Sequence, residues 1–279
     1  MLNRKISVCI LLIILISLNF VGCDSIDNLK TKFWGKNEYF EYLNTAKSDK
    51  ISIQSIRDPG FKFIVTDPKA IKDMYELLSS AKIADKKAEL DPDYIFEINV
   101  GDEVKKFYYV VGAYEGNFYD GNTNFTVSKR LDEGIIQNLS IIRKPRDFEY
   151  VYYRSILDVL EMKKSGLNNG EYKIGINIQG DIDCLKYVFS TDLKDFLKNA
   201  RKINPNVDLV KNNSNEFDVV ITIKNRGYNN TTYKTNITFE NKKDKIKEEF
   251  YVMATNEFKE WAIDIYEEEN LPKAIKAEW

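Results

Sequence analysis

The chain has 279 residues, with 41 Lys and Arg against 43 Asp and Glu, and 43% hydrophobic and 13% aromatic side chains. That is enough apolar material for one large domain or two of about 125 residues, and it excludes global disorder. The slightly acidic balance argues against a nucleic-acid partner, which demands a basic surface. The complete absence of histidine removes Ser-His-Asp and Cys-His chemistry, the usual general base near neutral pH and most zinc sites.

Arg4 and Lys5 open the chain, Ile6 to Gly22 is uncharged and rich in Ile, Leu and Val, and Phe20-Val21-Gly22-Cys23 stands directly before Asp24. A basic start, an apolar stretch and a small residue before the cut form an export signal. The cysteine after that small residue resembles a bacterial lipoprotein signal, with Phe20 where Leu is usual. The resemblance implies removal of residues 1–22 and a diacylglyceryl group on Cys23. It also implies a mature chain held on the extracytoplasmic face of the cell membrane. Each buried methylene is worth about 0.8 kcal/mol, and two or more acyl chains hold firmly where one does not. The competing reading is an uncleaved anchor helix, because the uncharged run approaches the ~18 residues of a spanning segment. Loss of the signal takes the basic count from 41 to 39 against 43 acidic residues, a side-chain charge of −4.

Residues 23–50 read as a polar tether with an aromatic patch at Phe33, Trp34, Tyr39, Phe40 and Tyr42. That patch is expected as a short helix on the first domain. The first domain is expected over 51–143. Ile51–Ile56 alternates as a half-buried strand, Asp58-Pro59-Gly60 turns, and Phe61–Val65 is a second strand. Thr66-Asp67-Pro68 starts a helix whose apolar stripe is Ile71, Met74, Tyr75, Leu78 and Ala81. Strands follow at Tyr94–Val100, Lys106–Val111 and Asn124–Ser128, the first two joined by a turn at Gly101-Asp102. A helix over Leu131–Ile142 closes the domain. Residues 144–170 form a linker, opened by the charged, proline-bearing Arg143–Arg146 and carrying a connecting helix over Phe148–Met162.

A second domain over 171–270 repeats this order. Strands are expected at Tyr172–Ile178 and Cys184–Phe189, a helix starts at Ser190-Thr191-Asp192, and three strands fall at Phe217–Ile223, Tyr233–Glu240 and Lys247–Met253. A final helix carries Phe258, Trp261, Ala262 and Ile265, and residues 271–279 are a tail. At an offset of 119, Asp73–Lys82 aligns with Asp192–Arg201, and the apolar positions coincide at Met74/Leu193, Leu77/Phe196, Leu78/Leu197 and Ala81/Ala200. The expected fold class is therefore α+β. It consists of two tandem related domains, each an antiparallel sheet covered on one face by helices. The competing account is chance agreement of generic α+β patterning.

The stretch Phe63–Ser128 resembles the YhfM-like lipoproteins of Gram-positive bacteria. The residues that carry the likeness are Thr66–Ile71, Asp91–Tyr94, Phe107–Val110, then Gly116 and Asp120 ahead of Phe125–Ser128. A Trp is usual in the third strand of that family, and here Tyr109 or Val110 stands instead. The resemblance implies an exported, lipid-anchored domain and implies no activity.

Candidate chemistry is sparse. Cys184 is the one cysteine outside the signal and the lipid site. It lies in an apolar run and reads as a buried small hydrophobe, not a nucleophile. Asp120, Asn122 and Asn124 match the first half of a calcium hand. Phe125 and Leu131 then stand where Gly and Glu are needed, so a polar turn is the better reading. The pairs Asp181/Asp183 and Asp91/Asp93 read as turn carboxylates. Glu97, Glu115 and Asp120 are the candidates for a carboxylate pair acting on cell-wall glycan, a reaction that needs no histidine. Tyr114, Phe118 and Tyr119, set among Gly112, Gly116 and Gly121, are candidate ligand-binding rings on a loop. No catalytic residue, cofactor or metal is expected. The reading that follows is a non-catalytic binding or adaptor lipoprotein of the envelope, with a protein, peptide or glycan partner. A glycan hydrolase and a structural envelope protein without a ligand are the alternatives. Metabolic acyl labelling checks the anchor: label is expected on the wild-type chain and lost on Cys23→Ala. Label that persists in the variant would refute lipidation at that residue.

Overall fold

The computed structural model describes residues 36–45, 47–131, 133, 144–167 and 171–273. Cys23 and the export segment lie outside the described residues, as does nearly all of the helix expected over Leu131–Ile142. The architecture is mixed α/β, with two antiparallel-dominated sheets and few helices. Two compact units divide it, one holding residues 36–54 and 62–133, the other 55–61 and 144–273. No helix among the described residues is long and apolar enough to cross a membrane.

The first sheet contains β1 (Lys50–Ser55), β2 (Lys62–Val65), β3 (Lys82–Ala84), β4 (Tyr94–Val100), β5 (Glu103–Tyr109), β6 (Phe118–Tyr119) and β7 (Asn124–Thr126), in the order β2-β1-β4-β5-β6-β7-β3. Period-two alternation on β4 and β5 turns Tyr94, Phe96, Ile98, Phe107 and Tyr109 inward. Before the sheet, a single 3-10 turn, Glu38–Phe40, runs into α1 (Glu41–Asn44), and Asn37 caps it by accepting from the Tyr39 N–H. Phe40 and Leu43 are buried, so this stretch belongs to the first core and not to a tether. The expected short helix is present, and the ordered unit starts at least fourteen residues before Lys50. The helix α2 (Pro68–Leu78) begins as its sequence dictates, with Pro68 in the first turn and Asp67 accepting from the Ala70 N–H at 2.8 Å. It buries Ile71, Tyr75 and Leu78.

The second unit starts with α3 (Phe148–Met162), then β8 (Ile174–Asn177), α4 (Ile182–Leu185), α5 (Ser190–Ile203), β9 (Val207–Leu209), β10 (Val219–Tyr228), β11 (Thr232–Asn241), β12 (Ile246–Glu257) and β13 (Glu260–Glu267). The strand order is β13-β12-β11-β10-β8-β9. One buried cluster joins Val151, Tyr152 and Ile156 of α3 and Leu193, Phe196 and Ala200 of α5 with Ile176, Ile221, Ile237, Phe250 and Val252 of the strands. The helix expected as a connector is thus a core element, with Val151, Tyr152, Ile156, Val159 and Leu160 wholly removed from solvent.

Three expectations about this unit are corrected. Cys184–Phe189 is not a strand: its first residues lie in α4, and Cys184, Leu185, Tyr187 and Val188 are all buried. A short apolar run does not distinguish strand from helix by periodicity. The expected final helix is the β12–β13 hairpin. Trp261, Ile263 and Ile265 alternate and pair with Asn256, Ala254 and Val252, and this neighbour outweighed the helical spacing of Trp261, Ala262 and Ile265. The two-residue turn is Phe258-Lys259, both left-handed at φ 52° and 70°, so the Asn-Gly signal of such a hairpin is missing from the sequence. Finally, β8 runs parallel to both β9 and β10. The sheet is therefore mixed, and α5 is the crossover of a β8-α5-β9 unit.

The 119-residue correspondence holds in part. α5 covers the whole of its aligned stretch, but α2 stops at Leu78 and β3 starts at Lys82. Tyr75 is buried where Lys194 is exposed, and Phe196 is buried where Leu77 is only half-buried. The two sheets also differ in strand order, β3 joining β7 in one and β9 joining β8 in the other.

Gly116 fixes the loop ahead of β6. Its φ is +58°, and a Cβ there would lie 2.0 Å from the Lys86 carbonyl oxygen. Gly116→Ala should cost about 3 kcal/mol or more, through left-handed strain and backbone overlap. Gly166→Ala, which meets nothing within 4 Å, should be close to neutral. Urea unfolding of the two variants checks this.

Candidate functional site

The three rings nominated from the sequence do not form one surface. Tyr114 is 91% exposed, whereas Phe118 is wholly buried and Tyr119 nearly so. Phe118 stacks on Phe107 with centroids 4.8 Å apart and meets Phe96 edge-on at 5.3 Å. Tyr119 stacks on Tyr108 at 5.6 Å. The glycines around these residues pointed to a loop. In fact Phe118 and Tyr119 form β6 and pair with Tyr109 and Tyr108 of β5, so the rings are sheet packing.

The nominated carboxylates stand on different elements and are engaged differently. Asp120 accepts from the Tyr39 hydroxyl at 2.6 Å and from the Asn122 and Thr123 N–H groups at 2.8 and 2.7 Å. Burial works against its ionisation, but these donors outweigh it and hold the carboxyl below the usual aspartate range. Burial, and then Asp120, push the Tyr39 phenol up to about 12. Asp120 is therefore a turn carboxylate that ties its own loop and Tyr39 together. Glu97 stands on β4 opposite Lys106, and Glu115 is exposed in the loop. Asp93 is buried and accepts from the Val111 N–H at 2.8 Å, while Asp91 faces solvent. No group of three or more His, Cys, Asp or Glu among the described residues is placed to hold a metal ion.

In the second unit Asp181 and Asp183 diverge, the first buried and the second exposed. Asp181 precedes α4 but does not cap it. It points inward and accepts from the Asn225 N–H at 2.6 Å. Around it lie the Tyr152 and Tyr233 hydroxyls and the Cys184 thiol, all on fully buried residues. Tyr152 and Cys184 are close enough to favour the Asp181 carboxylate, yet neither its Oδ2 nor the Tyr152 or Tyr233 hydroxyl has a well-aligned hydrogen-bond partner. Burial raises the Asp181 pKa, with the Asn225 N–H opposing it. Burial also pushes the Cys184 thiol up, which keeps it from acting as a nucleophile. Asp181 does follow the turn expected from the sequence, its N–H donating to the Ile178 carbonyl at 3.0 Å, but its side chain is buried, which the turn signal did not indicate.

A cleft of about 460 Å³ lies beside β9, at one edge of the second sheet. Its floor includes Phe217, whose ring sits where a Cβ on Gly175 would come within 2.7 Å. Lys173, Arg201 and Lys211 line it, with Asp208 and Glu216. The Arg201 Nε donates to the Val207 carbonyl at 3.1 Å, and its Nη2 lies 3.5 Å from Asp208. Asp208 in turn accepts from the Leu209 N–H at 2.8 Å. Side chains thus occupy backbone groups of this three-residue edge strand. The cleft is the right size for a small ligand, offers cations and hydrogen-bond donors, and presents no activated nucleophile. Sequence reasoning missed it, because its residues come from α5, β9 and the segments before β8 and on either side of β9, with no motif among them.

The family described as YhfM protein matches residues 44–145. The cleft and the Asp181 cluster lie outside that match. No curated protein and no solved structure matches the chain significantly.

Asp181 generates a pH prediction. Its folded pKa is above the unfolded value of about 3.9. Its contribution to stability is therefore fully present below that value and is lost as pH rises through the folded pKa. Asp181→Asn keeps an acceptor for Asn225 and abolishes this loss. The variant should gain stability relative to wild type between pH 4 and pH 7, measured by urea unfolding at both.

Proposed function

We propose that this chain, YhfM-like over residues 44–145, is an exported lipoprotein held to the extracytoplasmic face of the membrane by lipid on Cys23. There it serves as a non-catalytic binding or adaptor protein of a Gram-positive envelope. The family match and the signal-like first 23 residues support the location. The observation that carries the binding role is the cleft beside β9. It has the volume of a ligand site and a mixed charged lining of three cations and two carboxylates. Such a lining suits a polar or anionic envelope component, whether glycan, peptide or protein. The carboxylates that would serve a hydrolase fit less well, since Asp120 is engaged by three donors, from its own turn and Tyr39, and Glu97 faces Lys106 across the strand pair.

We read α3 and α5 as the cover of one face of the second sheet, on the strength of their shared core with β8 and β10–β12. That cover would leave the edges of the sheet and its other face for partners. Nucleic acid is not among the partners proposed, given the −4 charge of the mature chain.

The test is capture of envelope components by the full chain in detergent. Wild type should retain at least one component, and Lys173→Ala/Lys211→Ala should weaken that retention about tenfold, the equivalent of about 1.4 kcal/mol. No capture by wild type would refute the binding role.

A further inference from the structure

The two edges of the second sheet are treated differently. At β9 the strand is three residues long, and Arg201 and Asp208 occupy its backbone groups. At the other edge, β13 runs for eight residues without a bulge and pairs with β12 alone. The two-residue turn makes Glu257 and Glu260 the first pair to exchange backbone bonds, and alternation follows along the strand. Ala262, Asp264 and Tyr266 therefore bond to β12. The N–H and C=O groups of Trp261, Ile263 and Ile265 point away from it, and β13 has no second neighbouring strand among the described residues. The Glu267 carbonyl is taken up by the 3-10 turn Glu268–Asn270. An edge of this length with no proline and no lysine along it is an open template for another strand.

Charge indicates what fits there. Every charged side chain within β13 is acidic: Glu260, Asp264 and Glu267. Glu257, Glu268 and Glu269 extend the run at both ends, against the single cation Lys259. Glu260 and Asp264 are exposed. Pairing with a second copy would set acid against acid, which destabilises cross-strand neighbours. A strand that places Lys or Arg on the face of Glu260 and Asp264 would meet opposite charge. At the tip of the hairpin Phe258 is 99% exposed and offers an apolar contact at one end of the edge.

We propose that the outer edge of β13 is a docking strand for an extended, positively charged segment of a partner protein, which adds to the sheet by backbone pairing. The proposal rests on the binding reading above for its setting, but not on the cleft.

Three fluorescent octapeptides test it on the full chain in detergent: alternating Lys-Val, alternating Glu-Val, and Lys-Val with every second amide N-methylated. The plain Lys-Val peptide should bind at least about tenfold more tightly than either of the others. Glu260→Lys/Asp264→Lys should reverse the charge preference. Both positions are exposed, and an unchanged thermal midpoint confirms that the variant folds. A second variant, Ala262→Lys, should weaken Lys-Val binding in the same sense. Absence of Lys-Val binding, binding indifferent to N-methylation, or binding unchanged by the charge reversal would each overturn the proposal. Lys173→Ala/Lys211→Ala is run in parallel. Retained Lys-Val binding there, with envelope capture weakened, supports an edge site separate from the cleft. Envelope capture by wild type without Lys-Val binding rejects the edge alone and leaves the wider binding reading standing.

Discussion

Phe118 lies nearly flat on Phe107, with rings 4.8 Å apart and 15° from parallel, and the first unit is assembled around that contact. Phe40 reaches both rings and Phe125 within about 6 Å. The segment ahead of the sheet, β5, β6 and β7 thereby meet in one cluster. Stacked and edge-on rings add roughly 0.5–1.5 kcal/mol per pair beyond their burial. Among the described residues Cys184 is a free, buried cysteine, so packing and not a cross-link holds the cores.

The second unit solves the same problem with phenols. Tyr152 and Tyr233 are wholly buried with centroids 6.2 Å apart, and both hydroxyls are without a well-aligned partner. Asp181 adds a carboxyl to this interior. A buried polar group costs free energy unless it is hydrogen-bonded, so the cluster is held by the apolar packing around it. It has the composition of an acid–thiol site but lacks an entrance, and burial raises both the carboxyl and the thiol pKa. Its chemistry is that of an interior constraint. The polar groups available to a ligand lie elsewhere, at the margins of the sheet.

Those margins are what distinguish this fold from a closed structural body. A sheet edge invites pairing unless it is shortened, charged or covered. The β9 edge is both short and covered, and a cleft remains beside it. The β13 edge is long and carries charge of one sign. That charge disfavours self-association while leaving the backbone groups available. The strained Phe258-Lys259 turn holds an aromatic ring in water at the end of that edge.

Elements with strong local signals were readable from the sequence. Strands β1, β4, β10 and β11 alternate clearly, and α2 has a capping aspartate and a proline at its start. The bounds Phe148–Met162 followed from periodicity alone, and the resemblance of Phe63–Ser128 to the YhfM family, carried by its short motifs, falls within the family match over residues 44–145. Composition likewise excluded histidine chemistry. Only the tertiary structure decided where these elements lie and what they face. It turned Phe118 and Tyr119 into core, because β5 lies alongside them. It made Trp261–Ile265 a strand, because β12 offered a register. It buried Asp181, because α4 turns inward, and it left β13 as an edge. Each outcome depends on a neighbour distant in the chain, and local periodicity carries no information about which neighbour that will be.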